Sequence, residues 1–362
     1  MRPTLVLAAA TLSALAAAAL PPVASTAQPA PAGRVVIARG LVGPLSLDVA
    51  AGRVYVTQNF AGELDQVHAD GDLAALYRGS GNEVGGVSVR HGRVVFTETA
   101  SSGPENPTDS WVKILRRSGE ARTLAHVWAF EEAHNPDGAR TYGLRGISDD
   151  CAAQWPTDRF GPPVYQGLVD SHPYKTVQSK HRVYVADAGM NAILSIGESG
   201  WIRTVDVLPA VPVLITQELA TRLGAPDCVV GMTYYGEPVP TDVERGHRGR
   251  LLVTTLGGGL GEQLPLGALY RINPMTGHRT LLADKLMTPT DLAVRRSGGI
   301  LVAELFANRI VSLRAGSSTV RTFARAHLPA AVEVAGGHVY ATIDALPPES
   351  GAPDGKVVRF RP

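Results

Sequence analysis

The chain has 362 residues, of which 44% are hydrophobic and 19% charged, with a formal net charge of +1. A balanced charge argues against a nucleic-acid partner, which calls for a basic excess. Its two cysteines, lacking a CxxC spacing or a nearby histidine pair, make a poor zinc site.

The N-terminus opens Met1-Arg2 and runs apolar from Leu5 to Leu20, where Pro21-Pro22 ends it. Ser25-Thr26-Ala27 before Gln28 is a small-residue cleavage site, with Val23-Ala24-Ser25 as a competing one. Residues 1–27 are therefore expected to be a secretory signal peptide. A retained anchor is the alternative, since about 20 apolar residues can span a bilayer; the alanine-rich composition favours cleavage. No cysteine lies near the cleavage site, so a lipid anchor is not expected. The expected product is secreted, extracellular or in the cell envelope. It would be free of the membrane after cleavage and monomeric. Residues 28–33 are rich in Pro and Ala and read as a disordered linker.

Arg34 to Leu41 reads as a strand, and after it one short phrase recurs six times. An opening Pro or Gly leads into an alternating stretch, a Gly-containing turn, a β-rich triplet and a polar residue. The copies begin at Pro44-Leu45-Ser46-Leu47-Asp48-Val49, Gly86-Val87-Ser88-Val89 and Pro173-Tyr174. The others begin at Pro240-Thr241-Asp242-Val243, Pro289-Thr290-Asp291-Leu292 and Pro329 to Val334. The triplets are Val54-Tyr55-Val56, Val94-Val95-Phe96, Val183-Tyr184-Val185, Leu251-Leu252-Val253, Ile300-Leu301-Val302 and Val339-Tyr340-Ala341. Self-similarity at this period with strands alone predicts propeller blades. The expected fold is an all-β six-bladed β-propeller over residues 34–362. The last blade supplies only three strands of its own, so Arg34–Leu41 is expected to complete it and close the ring.

Two segments, about 128–172 and 209–238, break the period. In the first, Trp128–Ala133 has helical character and stops at Asn135-Pro136-Asp137-Gly138. In the second, Leu214–Leu223 has helical spacing with Gly224 as its stop. Cys151 lies in the first insertion and Cys228 in the second. In an exported chain an even cysteine count predicts a disulfide tying the two together; two separate buried thiols are the alternative.

Blade geometry returns the residue closing each second strand to one face. Those positions are Gln58, Glu98, Asp187, Thr255 and Glu304, with Asp344 nearest in the last blade. Asp242 and Asp291 open inner strands on the same side, and His172 precedes another. Glu98, Asp187, Asp242, Asp291 and Glu304 are candidate ligands for Ca²⁺ at a channel mouth, because Ca²⁺ takes six to eight oxygens. The alternative is that each carboxylate caps its own turn. His172, Asn59, Asn191 and Gln58 are candidates for ligand binding. The run Gly257-Gly258-Gly259 lacks the Lys and helix of a phosphate loop, and no GxSxG or HExxH pattern occurs. No catalytic residue is assigned.

Ala129-Phe130-Glu131-Glu132-Ala133-His134-Asn135-Pro136-Asp137-Gly138 resembles the "AxFExxNNPDG" segment of the secreted ScyD/ScyE family, with His134 where Asn is usual. Asp170-Ser171-His172-Pro173-Tyr174, the stretch Val185–Leu194, Val239–Val243 and Gly267–Ile272 are similar to further segments of that family. The resemblance covers residues 34–362. It implies a six-bladed propeller of the wider group that includes NHL repeats, regucalcin-like lactonases and strictosidine synthase-like proteins, and it implies no particular reaction. The expected function is non-catalytic binding of a small molecule, glycan or protein at the channel mouth. One alternative is a metal-dependent lactonase or hydrolase built on Glu98, Asn59, Asn191 and Asp242. A cell-envelope scaffold is another.

Overall fold

A computed structural model describes residues 33–102, 107–116, 118–348 and 350–360. The expected signal peptide and most of the expected linker lie outside the described residues.

β1 (Arg34–Leu41) leads the chain. Sheet I follows with β2 (Ser46–Ala50), β3 (Arg53–Gln58), β4 (Glu63–Val67) and β5 (Leu73–Arg78). Sheet II has β6 (Glu83–Arg90), β7 (Arg93–Ser101), β8 (Pro107–Leu115) and β9 (Ala121–His126). The first insertion then carries α1 (Val127–His134), β10 (Thr141–Leu144), α2 (Asp149–Ala152), α3 (Thr157–Phe160) and β11 (Val164–Gln166). Sheet III is β12 (Pro173–Gln178), β13 (Arg182–Asp187), β14 (Ala192–Gly197) and β15 (Ile202–Val207). The second insertion supplies β16 (Val211–Leu214), α4 (Gln217–Leu223) and β17 (Thr233–Gly236). Sheet IV is β18 (Pro240–Arg245), β19 (Leu251–Thr255), β20 (Gly267–Ile272) and β21 (Arg279–Leu286). Sheet V is β22 (Pro289–Val294), β23 (Ile300–Glu304), β24 (Arg309–Leu313) and β25 (Val320–Arg325). Sheet VI joins β26 (Val332–Ala335), β27 (His338–Ile343), β28 (Gly355–Phe360) and, at its outer edge, β1.

The second strand of each sheet is apolar on both faces because both faces are covered. In sheet I, Val54 and Val56 point toward sheet VI and pack with Ala38, Leu41 and Val357. Tyr55, between them, points the other way and packs with Val84, Val87, Val94 and Phe96 of sheet II. Successive strand residues alternate between faces, so a triplet such as Val-Tyr-Val serves two cores at once. The same division repeats between sheets II and III, III and IV, IV and V, and V and VI. The first strands β2, β6, β12, β18, β22 and β26 contact one another in that order, and β26 contacts β2.

The two insertions fold as one unit. β10 pairs with β17, and the resulting sheet runs β11-β10-β17-β16. Cys151 and Cys228 are disulfide-bonded. Around them Leu144, Trp155, Val213, Ile215, Leu219 and Leu223 form a core of their own. Helix α1 ends where Asn135 turns left-handed at φ 34°. Leu214 ends β16, so the helical segment expected from 214 starts at Gln217, where the Thr216 hydroxyl accepts from Leu219 N. The unit formed by the two insertions, the cap, also packs on Leu260, Leu264 and Leu266 from the loop after β19.

β1 is antiparallel to β28, from Arg34 opposite Phe360 to Leu41 opposite Gly355. A chain starting at residue 42 loses this strand and uncovers Val56 and Val357. Each fully buried aliphatic side chain contributes about 1.5–3 kcal/mol, so its melting midpoint should fall by roughly 4–9 °C. Unchanged melting by circular dichroism would show that β1 adds nothing to stability.

Candidate functional site

Asn59, just after β3, Glu83, opening β6, and His172, just before β12, come from three different sheets and meet. Glu83 Oε1 accepts from Asn59 Nδ2 at 3.0 Å and lies 3.2 Å from His172 Nε2. Thr57 Oγ1 donates to Asn59 Oδ1 and so orients the amide. The His172 and Glu83 side chains are 17% and 26% exposed. Burial pushes His172 down, but attraction to Glu83, with smaller help from Asp170 and Asp187, prevails and holds it at about 9. Burial pushes Glu83 up; His172 and the hydrogen bonds from His172 and Asn59 bring it below the usual carboxylate value. The pair is therefore charged at neutral pH, and His172 is a cation there rather than a free base.

Tyr174 lies directly beside it. Its ring packs on Leu45, Leu305, Ala330 and Ala345 from sheets I, V and VI and their connections, and also on Ala188, Val239 and Leu256 from the neighbourhood of sheets III and IV. His172 meets it edge-on at 6.0 Å. The Tyr174 hydroxyl is buried with no hydrogen-bond partner among the described residues.

Lys175 follows, with its ammonium 2.7 Å from Asp291 Oδ2. Sheet IV lies between the sheets of these two residues, so the pair spans the lumen. Asp48, Asp242, Glu244 and Glu333 approach the same space. Burial, followed by the neighbouring acids, pushes Asp242 and Glu333 well up and Glu244 to about 8. Asp48 is pushed to about 6, mainly by burial.

The Thr-Asp phrases read as candidate metal ligands turn out to join neighbouring sheets. Thr241 Oγ1 donates to the Pro289 carbonyl at 2.7 Å, and Asp242 Oδ2 accepts from Leu292 N at 2.8 Å. One sheet further on, Thr290 Oγ1 donates to the Ala330 carbonyl at 2.7 Å, and Asp291 Oδ2 accepts from Val332 N at 3.3 Å. Ser46 and Asp48 do the same for Val87 N and Val89 N.

The second-strand ends also have separate partners. Gln58 binds Val42 N and Asp65. Glu98 is held by Tyr77, Asn82 and Lys113, and Glu304 by Met287 N and Arg309. Asp187 accepts from Ser171, His172 N and Met190 N, and burial pushes it up to about 6. Asp344 pairs with His327 and Lys356. Thr255 is buried. Asn191 donates to Asp137 and accepts from Val239 N. Glu98, Asn59, Asn191 and Asp242 share no partner. Among the described residues no three His, Cys, Asp or Glu side chains are grouped to hold a metal ion. Of the candidates, Asn59 and His172 meet on Glu83, Asp187 accepts from the His172 backbone, and Asp242 and Asp291 lie against each other; Glu83, Tyr174 and Lys175 complete the place and were not singled out from the sequence. The signal for two of them was present in the repeat, where Tyr174-Lys175 stands in the register of Thr241-Asp242 and Thr290-Asp291.

No protein-family profile matches the chain, and no curated protein does. Similar solved structures exist. Virginiamycin B lyase from Staphylococcus aureus superposes with a TM-score of 0.50 at 14% identity, covering 91% of this chain and 99% of that one. A putative oxidoreductase (glucose dehydrogenase) from Thermus thermophilus has a TM-score of 0.56 at 15% identity, covering 90% and 99%. The soluble aldose sugar dehydrogenase of Escherichia coli has 0.55 at 11%, covering 91% and 99%. These are β-propeller proteins, and the likeness is one of fold: the chain is an all-β protein of many four-stranded antiparallel sheets in the propeller class.

Two outcomes test this geometry. His172 should titrate near pH 9 by NMR of its ring protons, and Glu83→Gln should move the midpoint down, since burial is then less opposed. Because the folded value lies above the ordinary 6.5, the pair's stabilisation is complete below about pH 6.5 and is lost as pH rises through about 9. A midpoint that stays put in Glu83→Gln would remove the ion pair from this account. Thr290→Val deletes a buried donor and leaves the Ala330 carbonyl short of a partner, so it should cost about 1–3 kcal/mol. Urea unfolding reads this as a lower midpoint with an unchanged slope.

Proposed function

We propose that the chain is an exported six-bladed propeller of the ScyD/ScyE kind, closed by β1 in sheet VI, which binds a small polyhydroxylated ligand of the glycan class on its capped face. The observation that carries the reading is a part-exposed charge pair beside an apolar cluster. Three sheets contribute His172, Glu83 and Asn59, and Tyr174 packs next to them on Leu45, Leu305, Ala330 and Ala345. A ligand arriving there meets a shallow surface, with a fixed cation and anion for hydroxyl groups. Part-buried apolar side chains of Phe306, Leu328 and Leu346 lie beside Tyr174 for its C–H faces. Sites of this kind combine apolar walls with a few convergent polar groups. Export is supported by the Cys151–Cys228 disulfide, which an oxidising compartment maintains. Among the described residues no helix is long and apolar enough to cross a membrane.

The test is a thermal-shift screen of the oxidised protein against neutral mono- and disaccharides, followed by calorimetry on any hit. At least one sugar should raise the melting temperature by mass action, and His172→Ala and Glu83→Gln should each abolish the shift. A panel without any response, or a response that survives both substitutions, overturns the assignment.

A further inference from the structure

Beyond the mouth, the Asn-Pro-Asp-Gly turn after α1 encloses a second polar centre that the binding role does not use. Glu131 and Asp137 are 0% and 1% exposed. Donors reach only some of their oxygens. Asp170 N lies 3.3 Å from Glu131 Oε1, and Tyr142 Oη and Asn191 Nδ2 each lie 2.9 Å from Asp137 Oδ2. The Asn135 amide nitrogen donates to the Gly167 carbonyl, which leaves its oxygen free to accept. Glu131 Oε2, Asn135 Oδ1 and Asp137 Oδ1 are all buried without a hydrogen-bond partner among the described residues. Three buried acceptors lacking donors within seven residues of chain are costly unless something supplies positive charge.

The backbone is shaped around these groups. A Cβ on Gly138 would lie 2.8 Å from the Asn135 side chain, and one on Gly167 would lie 2.3 Å from Asp137 Oδ1. A Cβ on Gly189 would lie 2.8 Å from Asp170 Cγ. Asp170 and Asp187 add negative charge nearby, and both, with Asp137, act on Glu131. His172, which attracts Asp170, is already paired with Glu83.

We propose that Glu131 Oε2, Asn135 Oδ1 and Asp137 Oδ1 ligate a hard divalent cation of the Ca²⁺ class, with water completing its coordination. The set is two carboxylates and an amide, which is consistent with the absence, among the described residues, of any group of three His, Cys, Asp or Glu placed to hold a metal. An all-oxygen donor set disfavours zinc and copper, and its irregular shape suits Ca²⁺ better than Mg²⁺, which demands near-ideal octahedral geometry. Two negative ligands balance the ion's charge. The ion would fasten the turn after α1 to Asn191, which also receives Val239 N, and so join the first insertion to both flanks of sheet III.

The exported, oxidised chain is dialysed against chelator, then measured with Ca²⁺ or Mg²⁺ added. Elemental analysis should find stoichiometric calcium, and Ca²⁺ at about a hundredfold above its Kd should raise the melting temperature by roughly 3–6 °C. Mg²⁺ should do less. Terbium in place of calcium should give luminescence excited through Tyr142. Glu131→Gln and Asp137→Asn should each abolish the calcium shift and the terbium signal, while Asp242→Asn, in the lumen, should keep both. Circular dichroism of Glu131→Gln in chelator should match the parent, which shows that the variant folds. Equal melting in calcium and chelator overturns the site, as does a calcium response that survives Glu131→Gln but is lost in Asp242→Asn.

Discussion

Each of sheets I to VI has apolar residues on both faces, and neither face is stable unless a neighbouring sheet covers it. That requirement organises the molecule. A strand such as Val54-Tyr55-Val56 gives its valines to one core and its tyrosine to another, so a single sheet cannot stand alone and each depends on two others. Six such cores lie between successive sheets. The cost falls at the centre, where the first strands converge and their side chains have no second apolar layer to join. Polar groups occupy that space, and hydrogen bonds from Thr241, Asp242, Thr290 and Asp291 to the backbone of the next sheet satisfy them.

The third repeat departs from this pattern, and the mouth owes its character to that departure. Where two other copies carry Thr-Asp, it carries Tyr174-Lys175. A ring stands where the other copies have a hydroxyl and packs among residues of sheets I, V and VI, and an ammonium stands where they have a carboxylate and pairs with Asp291.

The strands and the cysteine pairing were legible in the sequence for local reasons. The repeat opening Pro173-Tyr174 and the triplet Val183-Tyr184-Val185 fall in β12 and β13, and two cysteines in two aperiodic segments left one simple pairing. The shared sheet of the cap was not legible. Val211–Leu214 and Thr233–Gly236 are four residues each, too short to show a period, and they pair over long separations. The partners of the acidic residues were hidden for a different reason. Sequence places Glu98 and Glu304 on comparable strand ends, but whether they share an ion or bind Lys113 and Arg309 depends on side-chain reach between strands. Glu83 opens an ordinary strand, and only the arrival of His172 from another sheet makes it notable.

The disulfide joins residues on either side of sheet III, which is therefore held inside a covalent loop 77 residues in sequence separation. Under tension applied between the ends of the chain, the load passes from Cys151 to Cys228 through the sulfur atoms and bypasses everything between. Sheets I, II, IV, V and VI can unravel strand by strand, but β12 to β15, α3, α4, β11 and β16 bear no force until the bond is reduced. In stretching experiments the oxidised chain would then come to full extension short by the contour of that loop, about 250 Å at 3.3 Å per residue, and a reductant would restore it. A protein exposed to shear thus carries a segment whose resistance to being pulled apart is set by redox chemistry rather than by packing.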